Sequence, residues 1–249
     1  MRVITEQHLP DDVLERRFVM GEIPGVLWTP SSAPVAPVPL ILFGHPGGLE
    51  ALHSRLTARA MAAAARGFAS ATIELPGSGG RPPVPTLQQA RGDVRRTLEA
   101  GATVGDELVD RLILPLVELA VPELRALLDV LLQLPEIDGP AGWSGGVISI
   151  GVRLAAVEAR LAAAGLFAGS FVPTSIIEQA RSVTLPVHML LQWDDTGNDR
   201  QRALDLFDAF GSREKSLNAN MGGHTGIPQH ASEDAMSFFT RHLKGHHGS

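Results

Sequence analysis

The sequence predicts a single α/β domain in which a mostly parallel sheet is covered by helices on both faces. Short continuous apolar runs alternate along the chain with stretches that carry apolar residues at helical spacing. A serine flanked by glycines stands between one of these runs and the stretch that follows it. With 249 residues, 44% of them apolar, the chain can build one large core. We therefore expect residues 1–249 to form one domain.

The elements before that serine follow from local patterns. Residues 40–43 are all apolar, as expected for a parallel strand that is buried on both faces. Gly67 is the expected stop signal of the helix that comes next. In order, we predict a hairpin (13–20 and 25–29), a proline-rich turn (30–39), a strand (40–43), a helix (49–65) and a strand (68–73).

The second part of the chain continues the alternation of strands and helices. Its predicted elements are strand 137–143, helix 147–161, strands 166–168 and 187–191, helix 200–210, strand 216–219, helix 232–243 and a polar tail, 245–249. A sheet built in this way exposes the carboxyl ends of its parallel strands along one edge.

One segment is too long for simple alternation. Three helical patterns (87–99, 107–119 and 122–134) separate residue 81 from the strand before the serine. The third suits a helix that packs on the sheet, so residues 82–120 form a helical, cap-like insertion. Whether this insertion covers a site or only stabilises the surface is left open by its sequence.

Composition excludes several classes of protein. The net charge of −6 is mild and unclustered, which argues against nucleic acid or an anionic membrane as partner. The absence of cysteine excludes disulfides and thiolate sites, and no paired spacing of ligands predicts a metal site. Residues 1–17 are polar and charged, and no apolar run reaches the ~18 residues that span a bilayer. These features predict a soluble, cytoplasmic protein.

The serine lies in the sequence Gly142-Trp143-Ser144-Gly145-Gly146. This G-x-S-x-G pattern is typical of a sharp strand-to-helix turn that exposes a nucleophilic hydroxyl. The pattern is weak alone in a chain with 26 glycines, but here it has the required strand before it and helix after it. A helix N-cap role for Ser144 stays open. Ser149 is a rival nucleophile, although Val147 stands where the upstream glycine would be.

A carboxylate and a histidine follow the serine at suitable places. Asp194 and Asp195 come just after the predicted strand 187–191, and His224 lies in a glycine-flanked loop after strand 216–219. A histidine base and an orienting acid are what a serine needs to become nucleophilic. Either aspartate can fill the role of the acid on sequence grounds.

On these motifs the chain resembles the α/β-hydrolases over nearly its whole length. The segment from Ser144 to Gly169 resembles the family's elbow, helix and next strand, and residues 74–79 resemble its D-x-P-G-x-G loop, with glutamate for aspartate. Residues 44–47 resemble the H-G-x oxyanion loop, with proline at the glycine position.

The resemblance implies roles for individual residues. Ser144 would be the nucleophile, His224 the base and Asp195, favoured over Asp194 by the family's spacing, the acid. The oxyanion would be bound by the backbone N–H groups of Gly47, with Gly48 as a fallback, and Gly145, because Pro46 has no N–H.

The predicted function is hydrolysis of a small-molecule carboxylic ester through an acyl-enzyme, without a cofactor. Two alternatives remain: an amide or small-peptide hydrolase with the same triad, and a hydrolase-fold binding protein without turnover. The sequence makes no prediction about the oligomeric state.

Overall fold

The computed structural model describes residues 1–31 and 36–244. Residues 32–35 of the predicted proline-rich turn, and the predicted tail, residues 245–249, lie outside the described residues. The strands are β1 (Arg2–Leu9), β2 (Val13–Met20), β3 (Ile23–Pro30), β4 (Val38–Gly44), β5 (Ala69–Ile73), β6 (Ile137–Gly145), β7 (Leu161–Phe167), β8 (Val187–Gln192) and β9 (Lys215–Asn220). The helices are α1 (Leu49–Ala64), α2 (Pro85–Glu99), α3 (Asp106–Leu131), α4 (Ile148–Val157), α5 (Thr174–Ala180), α6 (Arg200–Ala209) and α7 (Gln229–Lys244).

The nine strands form one sheet in the order β1-β2-β3-β5-β4-β6-β7-β8-β9. The pairs from β5 through β4, β6, β7 and β8 to β9 are parallel, whereas β1, β2, β3 and β5 pair antiparallel. The predicted fold class, a mostly parallel sheet in an α/β protein, is confirmed. The carboxyl ends of β4, β6, β7 and β8 therefore meet at one edge of the sheet.

The sheet separates two apolar clusters. The smaller one joins Phe43 and Trp28 of the sheet to side chains of α1 and α7, such as Leu56 and Phe239. The larger one joins the opposite face to α2 to α6, and ten buried side chains of α3 belong to it. Helices thus cover both faces, as predicted. None of the helices in the described ranges is both long and apolar enough to cross a membrane.

Four elements, α3, α4, β1 and α5, differ from the predictions. The patterns at 107–119 and 122–134 are one helix, α3, which contains Pro115 and Pro122. Each proline removes one backbone donor, but the apolar face of α3 continues through both and buries the helix against the sheet. The helix predicted over 147–161 ends at Val157, since Leu161 already begins β7. The strand β1 and the short helix α5 were not predicted.

The turn between α4 and β7 contains a buried carboxylate whose charge is fully compensated. Glu158 accepts hydrogen bonds from Arg160 Nε at 2.8 Å and from Arg125 Nε at 3.1 Å. The Arg160 hydrogen bonds, which outweigh the opposing effect of burial, lower the pKa of Glu158 from 4.5 to about 2. The ionised form is therefore more stable in the folded chain than in the unfolded chain.

We expect Glu158→Gln to lower the free energy of unfolding by about 2 kcal/mol at pH 7, the value of a charge-assisted hydrogen bond. Because the folded-state pKa is depressed, the difference from the wild type should shrink as pH falls from 4.5 towards 2. Urea unfolding at several pH values measures this, with the exposed Glu178→Gln as control. A difference that does not change with pH would contradict this account of the ion pair.

Candidate active site

The strand β6 leads into α4 through a glycine turn. Ser144, near the end of β6, pairs with Phe43 of β4 and Gly165 of β7. The left-handed backbone that reverses the chain lies at Gly145 (φ 81°) and Gly146 (φ 72°), and α4 begins two residues later. The predicted strand-turn-helix is present, but its left-handed residues follow Ser144 and do not include it.

Gly146 is the tightest point of this turn. A Cβ atom there would lie 2.5 Å from Gly44 Cα and 2.8 Å from the backbone nitrogen of His45. These are backbone atoms of the adjacent loop, so they cannot yield as a flexible side chain would. The turn thus fixes the start of α4 against the loop that follows β4.

We expect Gly146→Ala to destabilise the fold by more than about 2 kcal/mol, because the left-handed conformation costs an L-residue about 1–2 kcal/mol and the backbone clash adds to it. Gly21→Ala is a matched control: Gly21 has a φ of 61°, and a Cβ there would have no neighbour within 4 Å. Thermal unfolding compares the two. Equal losses of stability would show that close approach at Gly146 is unimportant.

An aspartate and a histidine meet at the carboxyl edge of the sheet. Asp195, in the turn after β8, and His224, in the loop after β9, are joined by a 2.8 Å hydrogen bond between Oδ2 and Nδ1. The Asp195 side chain is 5% exposed and that of His224 is 53% exposed. From this contact we assign the ring proton of His224 to Nδ1, which donates it to the Asp195 carboxylate. The other ring nitrogen, Nε2, is then left to accept a proton.

Three groups hold the Asp195 carboxylate. Burial alone would raise its pKa, but hydrogen bonds from His224, Asn198 and the backbone N–H of Gly197 outweigh burial and lower the pKa below its ordinary value. Asp195 is therefore ionised at neutral pH, as an acceptor for an imidazolium must be.

Asp194 has a different task. Its carboxylate accepts hydrogen bonds from the backbone N–H groups of Gly222, at 3.0 Å, and Gly223, at 2.9 Å. These hydrogen bonds lower the pKa of Asp194, and the bond from Gly223 has the largest effect. Asp194 thus fixes the start of the loop that carries His224, and the structure brings Asp195 rather than Asp194 to the imidazole.

Ser144 is held by an arginine. Its Oγ accepts a hydrogen bond of 3.1 Å from Nη2 of Arg59, on α1, and its carbonyl oxygen accepts one of 2.9 Å from the same nitrogen. In the described ranges, no hydrogen bond joins Ser144 to His224. Of the three predicted catalytic residues, Asp195 and His224 therefore contact each other. The third, Ser144, is hydrogen-bonded to Arg59 instead. Ser149 is buried in α4, where its hydroxyl donates to Phe171 O at 3.4 Å.

The backbone N–H groups of the loop after β4 already have acceptors. Gly47 N–H donates to Nδ1 of His45 at 3.1 Å, while His45 Nε2 contacts the carbonyl oxygen of Ile73 at 2.9 Å. Gly48 N–H donates to Glu74 Oε1 at 3.0 Å. Burial lowers the pKa of His45, so this histidine is neutral at pH 7 and can accept at Nδ1. His45 and Glu74 therefore set the shape of the loop.

A cavity of about 400 Å³ opens beside the Asp195–His224 pair. Its walls include Leu98 of α2 and Leu112 and Leu116 of α3, with Val147 and Phe171 from the two loops of the sheet edge. Both α2 and α3 therefore contribute apolar side chains next to His224. Ser170 also lines the cavity, and its Oγ accepts from the N–H of Ile148 at 3.3 Å.

Some of these residues were missed by sequence reasoning. Arg59 could have been found, because it lies three residues after Leu56 and four before Ala63, on the face of α1 that is otherwise apolar. Asn198 and Ser170 stand in loops, where no periodicity marks them. In residues 1–31 and 36–244, no group of three or more His, Cys, Asp or Glu side chains is placed to hold a metal ion.

Comparison with known proteins gives the same fold. No family model matches the chain, and no curated protein matches it. Among solved structures, a PEG-bound cold-adapted esterase from an Arctic intertidal metagenomic library is 26% identical, with a TM-score of 0.70 over 96% of this chain and 97% of that one.

Two more distant structures share the fold. The acetyl xylan esterase from Paenibacillus sp. R4 is 16% identical, with a TM-score of 0.68 over 97% of this chain and 88% of that one. A putative dienelactone hydrolase from Klebsiella pneumoniae is 14% identical, with a TM-score of 0.67 over 92% of this chain and 99% of that one. The sheet order and the likenesses to these three solved structures show that the chain has the α/β-hydrolase fold.

Proposed function

We propose that the protein is an enzyme that hydrolyses small-molecule carboxylic esters, with Ser144 as nucleophile, His224 as base and Asp195 as acid. The observation that carries the proposal is the 2.8 Å contact between Asp195 and His224 beside an apolar cavity. The likeness to an esterase at 26% identity over 96% of the chain supports the reaction class.

In the proposed reaction, Ser144 Oγ attacks the carbonyl carbon of the ester while its proton passes to Nε2 of His224. The ionised Asp195 stabilises the imidazolium that forms. His224 then returns the proton to the leaving alcohol, and an acyl-enzyme on Ser144 results. His224 then takes a proton from water, whose oxygen attacks the acyl carbon; as the bond to Ser144 Oγ breaks, His224 returns that proton to Oγ and the carboxylic acid is released.

Two local rearrangements are part of the proposal. The hydroxyl of Ser144 must leave Arg59 and turn towards His224. For Gly47 and Gly145 to bind the oxyanion, the N–H of Gly47 must also be released from, or shared with, Nδ1 of His45. Catalytic hydrogen bonds commonly form only when substrate is bound.

The cavity favours an apolar substrate group. Leu98, Leu112 and Leu116 of the insertion lie along it, so we propose that residues 82–120 act as a cap that binds the acyl or alcohol part of the ester. The polar side chains of the lining are Asp195, Asn198 and His224, together with Arg91 of α2 and Ser170.

A second candidate is the hydrolase-fold binding protein without turnover. The observation that favours it is the hydrogen bond from Arg59 to Ser144, which leaves the histidine without a nucleophile. In that case the cavity would bind an apolar ligand and no bond would be cleaved.

Hydrolysis of p-nitrophenyl esters of graded acyl length separates the two candidates. We expect turnover by the wild type, with a preference for chains that fill the cavity, and loss of turnover in His224→Ala. His230→Ala, on the surface at the start of α7, is the control and should stay active. Folded wild-type protein that binds the esters but does not cleave them would favour the binding protein.

A further inference from the structure

Arg59 is in an unusual position for an arginine. Its side chain extends from α1 to the face of the sheet that α1 covers, where the guanidinium carbon lies 4.3 Å from the centre of the Phe43 ring. Within residues 1–31 and 36–244, no carboxylate forms an ion pair with it. Its hydrogen bonds go to the carbonyl oxygen and the hydroxyl of a single residue, Ser144.

Keeping a cation there costs free energy. Burial, helped by the charge of Arg55, lowers the pKa of Arg59 to about 10. The Arg59 side chain is half-buried, and its guanidinium is satisfied by Ser144 rather than by a carboxylate. The guanidinium also lies against the glycine turn, since a Cβ on Gly145 would be 3.2 Å from Nη2.

The contact bears directly on the reaction. The hydrogen bond from the Arg59 guanidinium holds Ser144 Oγ on the side of the sheet that faces α1. Catalysis requires the same oxygen to lie beside His224. A hydrogen bond from a charged donor is stronger than one between neutral groups. The free energy needed to break this hydrogen bond therefore adds to the activation free energy of attack by Ser144.

We propose that Arg59 is a positioning residue that holds Ser144 in a resting conformation, from which the serine is released to reach His224. The inference rests on the proposed function of Ser144 as nucleophile. Arg59 itself touches neither the cavity nor the Asp195–His224 pair.

A double-mutant cycle tests the contact without any need for activity. The four proteins are the wild type, Arg59→Met, Ser144→Ala and the double variant, each unfolded in urea. If the contact exists, Ser144→Ala should lower the urea midpoint in the wild-type background and change it much less in the Arg59→Met background. Equal shifts in both backgrounds would overturn the proposal.

The rate of labelling by a fluorophosphonate probe tests the resting role. Methionine keeps the apolar stem beside Phe43 but donates no hydrogen bond, so Arg59→Met should label Ser144 about thirtyfold faster than the wild type, the factor that corresponds to one charge-assisted hydrogen bond. Arg55→Met, exposed on the same helix, should label at the wild-type rate.

The outcomes separate this proposal from the proposed function. A coupled cycle with faster labelling of Arg59→Met supports both. Slower or unchanged labelling of a folded Arg59→Met overturns the resting role. A coupled cycle with no labelling in any variant supports the contact and shows instead that Ser144 is not a nucleophile.

Discussion

Replacing Ser144 by alanine is expected to lower kcat/KM for ester hydrolysis by about 10⁴-fold or more, the usual effect of losing the nucleophile of a triad. The nucleophile forms the acyl-enzyme, so no neighbouring group can take over its part. Steady-state kinetics with a p-nitrophenyl ester measure the loss, and circular dichroism checks that the fold is intact.

Two other serines are matched controls. Ser149 is buried within α4, and Ser170 lines the cavity with its hydroxyl against Ile148 N–H. Ser149→Ala and Ser170→Ala should each keep most of the activity. If Ser144→Ala were active and Ser170→Ala were not, the nucleophile would be the serine that already lies in the cavity.

Replacing Asp195 by asparagine is expected to lower turnover by roughly 10⁴-fold, since an amide favours the wrong histidine tautomer. The asparagine side chain has nearly the same size and shape as that of aspartate, so the fold should be retained. Asp194→Asn should cost much less, because an asparagine oxygen can still accept from Gly222 or Gly223. Comparison of kcat/KM for the two variants measures this.

The opposite order would contradict the assignment. If Asp194→Asn were the more damaging change, the loop at Gly222 would matter more than the direct contact of Asp195 with His224. Equal, small losses in both variants would show that His224 does not need an orienting acid for the reaction.

The strands of the parallel sheet were predictable because burial on both faces leaves continuous apolar runs, such as residues 40–43 in β4. The strand β1 was not, since it is an exposed edge strand with charged residues that pairs only with β2. Pro122 suggested the start of a new helix at 122–134, because proline is favoured in a first turn, but a continuous buried face makes Asp106–Leu131 one helix. Local signals were thus overruled where tertiary packing supplied the stabilisation.

The candidate site was predictable from the sequence only in part. Asp195 and His224 each follow a strand, so the common edge of the sheet predicts that they lie near each other. The hydrogen bond of Ser144 with Arg59, on α1, joins residues that are 85 positions apart along the chain. No motif encodes a contact of that kind. The choice between Asp194 and Asp195 depends on loop hydrogen bonds that a sequence does not display.

The most direct test of the proposed chemistry is the site at which a fluorophosphonate probe becomes attached to the wild-type protein. After labelling, digestion and mass spectrometry of the peptides, we expect one adduct, on Ser144, that is absent from Ser144→Ala and strongly reduced in His224→Ala. An adduct on another serine, or no adduct on folded protein, would contradict a Ser144–His224–Asp195 hydrolase.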